Sequence, residues 1–240
     1  MSSLYRLLQL SLLFSLYALP AFAAEDAPKP TAHTARKIEG WTVQVDQRLF
    51  AEENKAVGDR ALRMLENALY EIALIMPTNR IAKLREVPIW LDLSHGKLQN
   101  MQYHPSAGWL KENGYATEMA KSVHIPSAAY FSGIRHHRIQ PWCVLHELAH
   151  AYHDRVLGFE QARIMSIWEK WRQNPDYEKA LYIEGHPRRH YGLTNQKEFF
   201  AEMTEAYFGM NDFYPFNRGE LKTKEPEVYA LMEEIWGKLP

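Results

Sequence analysis

A histidine, a glutamate and a second histidine stand close together in the run His146-Glu147-Leu148-Ala149-His150. Residues four apart on an α-helix lie on one face, so two imidazoles at this spacing can grip a single ion. Zinc suits such a pair: in hydrolytic sites it takes three protein ligands, commonly with a carboxylate among them, and keeps a fourth position for water. Glu147, one residue past the first histidine, can point at that water and accept its proton. The spacing predicts metal ligands at His146 and His150 and a catalytic base at Glu147. It also demands a third ligand from elsewhere in the chain.

The surrounding residues predict the elements that position this chemistry. Pro141 suits a first helical position, and Val144, Leu148 and Ala151 fall at i, i+4 and i+7, the apolar stripe of a helix. A second helical pattern covers residues 195–208, with Phe199, Met203 and Ala206 on its buried face. Glu198, Glu202 and Glu205 run along an adjacent stripe of the same helix. Taken alone, that stripe reads equally well as a solvated acidic face or as a ligand-bearing one.

The spelling around the stripe is more specific. The segment Tyr191-Gly192-Leu193-Thr194-Asn195-Gln196-Lys197-Glu198-Phe199-Phe200-Ala201-Glu202 resembles the second motif of the anthrax lethal factor group of zinc peptidases. In that pattern a tyrosine precedes, by seven residues, the glutamate that opens Glu-Phe-Phe-Ala-Glu. The resemblance implies that Glu198 is the third zinc ligand and that Tyr191 faces the site. Asp154, four residues past His150, also has a counterpart in the pattern. The close likeness covers about residues 141–208. A looser one, over most of the chain after its first two dozen residues, is to small secreted bacterial and fungal proteins classed as metallopeptidases. The toxin's specificity surfaces lie outside the two motifs, so its substrate preference does not carry over.

These readings give a mechanism. Glu147 takes the proton of the attacking water and passes it to the leaving amine, while the ion and the Tyr191 hydroxyl stabilise the oxyanion. Glu202, one turn after Glu198, is placed to hydrogen-bond a ligating histidine from behind. The expected partner is a peptide or protein substrate and the expected cofactor is Zn2+. Two other classes remain open: a zincin-fold module that binds peptides or cell-wall material without turnover, and a zinc hydrolase of a non-peptide amide.

Composition sets the frame. At 240 residues and 46% hydrophobic, the chain can bury one substantial core. Its net charge of −1 leaves no electrostatic footprint for nucleic acid or anionic membrane. Arg6, the apolar run Leu7–Leu19, Pro20 and Ala21-Phe22-Ala23 read as a signal peptide over 1–23, too short to span a membrane as a helix. This predicts export, periplasmic or secreted, with no membrane span after its removal. Residues 24–36 are polar and Pro-containing and read as a flexible linker, which leaves 37–240 as a single zincin-like catalytic domain. The one cysteine, Cys143, excludes an internal disulfide and fits a small apolar position on the active-site helix better than a nucleophile.

The remaining pattern is α+β. Alternation predicts strands at Trp41–Val45 and Val87–Leu93, and a third over Ser122–Tyr130, broken by Pro126 as an edge strand near the cleft would be. Leu62, Leu65, Leu69, Ile72 and Met76 predict a long helix ended by Pro77, and Val228, Leu231, Ile235 and Trp236 predict a last helix after Pro226. Gly185-His186-Pro187 marks a hairpin that delivers Tyr191. His153 lies about 10 Å along the helix axis from His146, too far to share its ion, and reads as exposed or as a support behind the ligands. His136-His137 reads as a solvated turn, His190 as a support beside Tyr191, and the aromatic loop Asn211–Phe216 as packing for the end of the Glu198 helix.

Overall fold

The computed structural model describes residues 26–239; the expected signal segment lies outside them. In chain order the elements are β1 (His33–Ile38), β2 (Trp41–Asp46), α1 (Lys55–Ile75), α2 (Thr78–Leu84), β3 (Ile89–Leu91), β4 (Gln102–Tyr103), α3 (Ala107–Glu112) and β5 (Val123–Ile125). There follow α4 (Ala128–Phe131), α5 (Ile134–Ile139), α6 (Cys143–Tyr152), α7 (Ala162–Trp171), β6 (Ala180–Leu181), β7 (Pro187–Arg188), α8 (Gln196–Phe208), α9 (Arg218–Lys224) and α10 (Pro226–Trp236). Five strands form a mixed sheet in the order β1-β2-β3-β5-β4, and β6 and β7 form a separate hairpin. The fold is α+β, as the sequence predicts. Among the described residues no helix is long and apolar enough to cross a membrane.

Strand alternation fixes which face of the sheet is buried against the helices. Trp41, Val43 and Val45 of β2, Ile89 and Leu91 of β3, and Val123 and Ile125 of β5 all enter the core. α1 packs there through Ala61, Leu65, Leu69 and Ile72, and Met76 turns extended before Pro77, which ends the helix. At Gly58 the helix meets the 47–50 turn so closely that a Cβ would stand 2.4 Å from the Leu49 carbonyl oxygen.

Three sequence expectations outside the two site helices need correction. Residues 33–36 belong to β1 rather than to a flexible linker: each pairs with β2, although most of the strand faces solvent. Backbone pairing orders this segment, and composition does not report it. Upstream, the Pro28 carbonyl accepts hydrogen bonds from Arg48 and Ser94. The third strand is β5, which lies between β3 and β4, so the edge beside the cleft is β4. Pro126 ends β5, since its ring supplies no N–H to the ladder, and Ser127 then caps the short α4. Finally, His136 is buried within α5 and its Nε2 lies 3.3 Å from the Cys143 sulfur, so only His137 is solvated there.

The two helices that carry the site pack face to face. α6 begins at Cys143, two residues later than Pro141 suggests, and buries Val144, Leu145, Leu148, Ala149 and Ala151. It runs directly into a wider helical turn, His153–Leu157, which Gly158 ends at a φ of 81°. His153 is neither exposed nor behind the ligands. It is fully buried, its ring 4.9 Å from that of Phe200 and 5.3 Å from that of Phe159, and burial pushes its pKa down to about 3. α8 starts at Asn195, whose side chain accepts the N–H groups of Lys197 and Glu198, and it buries nearly its whole length. Its end is pinned to the start of α6, because Gly209 lies so close to the Trp142 indole that a Cβ would fall 2.0 Å from the ring. α10 backs both helices: the Trp236 ring lies 4.4 Å from that of Tyr152, tilted against it, and its indole N–H donates to the Thr204 hydroxyl at 3.0 Å.

Candidate metal centre

The faces of α6 and α8 that meet carry the chemistry. His146 and His150 project from α6 with ring centroids 4.8 Å apart, and Glu198 reaches them from the first turn of α8. Glu198 Oε2 lies 3.2 Å from His146 Nε2 and 3.1 Å from His150 Nε2. An ion held tetrahedrally at 2.0–2.1 Å separates its donors by roughly 3.3 Å, so the three atoms stand where zinc ligands would. The charge also fits. Burial opposes a proton on His146, but the carboxylates of Glu198 and Glu205 outweigh it and raise the imidazole well above its ordinary range. A divalent cation bound there would take the place of that proton.

Glu147 sits beside this triad on the same helix. Its Oε2 accepts the main-chain N–H of Tyr103 at 2.7 Å, which ties the carboxylate to the edge strand β4. Burial raises its pKa, with the Glu198 charge assisting and the two histidines opposing. A carboxylate raised in this way is a better proton acceptor near neutral pH than a solvated one. The four side chains open onto a cleft of about 560 Å³, lined also by Gln102, Tyr103, Arg188, Arg189 and Tyr191.

A family model described as "Anthrax toxin lethal factor, N- and C-terminal domain" matches residues 52–235. The chain belongs to the anthrax lethal factor family. That family is one of zincin metallopeptidases, and the α+β fold agrees with it. No curated protein and no solved structure matches the chain. The description spans two domains of the toxin, so the side chains in the cleft, more than membership, carry the chemical argument.

The support behind His146 differs from the expectation. The lethal-factor-like motif places Glu202 one turn after the ligand, yet His146 Nδ1 lies 2.6 Å from Glu205 Oε1 and 3.8 Å from Glu202 Oε1. Helical geometry explains the choice. At about 100° per residue, Glu205 points within roughly 20° of Glu198, whereas Glu202 is turned about 40° away. Once α8 docks with Glu198 facing the histidines, that angle favours Glu205 over Glu202. Glu202 instead packs beside Asp212: burial, then the Asp212 charge, raise the pKa of Glu202, and burial, then Glu205, raise that of Asp212. Glu205→Gln is expected to weaken zinc by about ten- to a hundredfold, as loss of a ligand's support does, measured by competition with a chromophoric chelator. Glu202→Gln should weaken it less; the reverse order would reassign the support to Glu202.

Asp154 touches no ligand. Its Oδ2 accepts the Tyr103 hydroxyl at 2.7 Å and the Lys121 ammonium, so it holds the strand whose N–H reaches Glu147. Tyr103 itself had no sequence signal, because its contact with Glu147 runs through the main chain. Tyr191 follows the β6–β7 hairpin in a short turn, half exposed, with its ring 6.4 Å from that of His146. Burial and the Glu198 charge raise its pKa, which keeps the hydroxyl a donor. His190 supports this turn rather than the ion: its Nδ1 accepts the Gly192 N–H at 3.0 Å. Phe213 stacks 4.9 Å from the His190 ring, so the aromatic loop packs the hairpin and also reaches the cleft wall.

Proposed function

We propose that the chain is an exported zinc peptidase that hydrolyses peptide bonds with His146, His150 and Glu198 as metal ligands and Glu147 as base. The observation that carries this reading is the convergence of a three-donor metal set and a tethered carboxylate on one cleft. Zinc held there supplies a Lewis acid that makes water acidic near neutral pH. Glu147 receives the proton of the attacking water and returns it to the leaving amine. The Tyr103 N–H keeps the carboxylate turned toward the ligands through both transfers. Tyr191 donates its hydroxyl to the oxygen of the attacked carbonyl as charge builds there. Glu205 holds the ring of His146 in the orientation that presents Nε2. Export rests on the signal-like residues 1–23.

The test is a mass-spectrometric digest of a diverse peptide library by the zinc-loaded chain. Cleavage that zinc chelation abolishes supports the reading. Hydrolysis confined to non-peptide amides would reassign the substrate, and peptide binding without turnover would leave a binding module.

Tyr191→Phe separates the transition-state role from packing. Phenylalanine keeps the ring and removes only the donor, and losing one such donor typically costs about a hundred- to a thousandfold in turnover. The expected result is a fall of that size in kcat, with KM and zinc content unchanged. An unchanged kcat would reduce Tyr191 to a packing residue of the hairpin.

A further inference from the structure

Four of the eleven histidines gather around one carboxylate, on residues outside α6 and α8. Asp92, just past β3, is fully buried. Its Oδ1 accepts from His33 Nε2 at 2.7 Å, and its Oδ2 lies 2.6 Å from His95 Nδ1 and 2.8 Å from His124 Nε2. His104 Nε2 stands 3.2 Å from the other nitrogen of His124. Val123 and Ile125 turn into the core, so strand alternation puts His124 between them on the opposite face of the sheet, in register with Trp90. The cluster therefore lies on the opposite face of the sheet from Val123, Ile125 and the core.

We propose that Asp92 Oδ2, His95 Nδ1 and His124 Nε2 form a second, buried site for a divalent transition-metal ion, zinc by the character of its donors. Their donor atoms lie within 4.8 Å of one another, and the three residues are buried. The set repeats that of the cleft, two imidazoles and one carboxylate, and imidazole favours ions of the zinc group over calcium or magnesium. The neighbours also stand where the supports of a metal site stand. His33 holds the free oxygen of the carboxylate, and His104 holds the outer nitrogen of a ligand ring.

Binding is a small rearrangement of what is there. The donors must part from 2.6 and 2.8 Å toward roughly 3.3 Å, about half an ångström each, to admit an ion at 2.0–2.1 Å. The protons balance without release. His95 and His124 each move the proton that now faces Asp92 to the outer ring nitrogen. His124 Nδ1 then donates to His104 Nε2, and His104 carries its own proton on Nδ1. The transfer changes no net charge in the cluster, and Asp92 stays ionised.

The test uses zinc alone and needs no substrate. The full chain and a His146→Ala/His150→Ala variant are loaded with zinc, dialysed against a mild chelator and analysed for metal. Two ions in the parent and one in the variant are the expected result. One in the parent and none in the folded variant would overturn the second site while leaving the catalytic reading intact. One ion in each would support the second site and count against the first. Because the variant can misfold, anomalous scattering at the zinc edge from crystals of the parent is the independent measurement. A peak bounded by Asp92, His95 and His124 supports the site, and hydrogen-bonded side chains with no peak there refute it.

Discussion

Glu147→Gln is expected to retain the fold and the zinc and to lose peptide hydrolysis by at least about a thousandfold. A single proton-transfer group contributes roughly 10²–10⁴, and this carboxylate serves two transfers in one cycle, so the upper part of that range applies. Glutamine has nearly the same shape and can still meet the Tyr103 N–H through its carbonyl oxygen, where the carboxylate meets it at 2.7 Å. It cannot take up a proton. Zinc analysis and circular dichroism should match the parent, while kcat/KM falls with kcat. Turnover within tenfold of the parent would remove Glu147 as the base.

Glu198→Gln acts on the other half of the site. The carboxylate is the only anion in the proposed ligand set, and both histidines meet it through one oxygen, Oε2, at 3.2 and 3.1 Å. An amide oxygen in its place offers no net charge to a dication. The loss should exceed the ten- to hundredfold typical of residues that merely support a ligand. One equivalent of zinc should leave the variant under dialysis against a mild chelator that spares the parent, and hydrolysis should vanish with it. Full retention of the parent's zinc would overturn the ligand set.

The parts of this site that were legible in the sequence are those encoded within single helices. The i, i+4 spacing of His146 and His150 specifies a shared face whatever surrounds it, and the Glu198 segment is spelled in a family pattern. The long helix before Pro77 and the last helix after Pro226 follow from period and punctuation alone. What was not legible depends on how elements meet. β4 is two residues long and contributes a backbone N–H, so neither alternation nor residue type announces Tyr103. The roles of Glu205 and Asp154 are set by the docking of α8 and β4 on α6, and a stripe of acids looks the same whether it docks or faces water. His153 and residues 33–36 were misjudged because polarity stood in for burial and pairing.

The two-sided hold on His146 has a consequence for how the site responds to movement. One helix supplies both the carboxylate at Nε2 and the carboxylate at Nδ1, two turns apart. The two contacts therefore rise and fall together: a slide or a turn of α8 that withdraws Glu198 from the ring also withdraws Glu205.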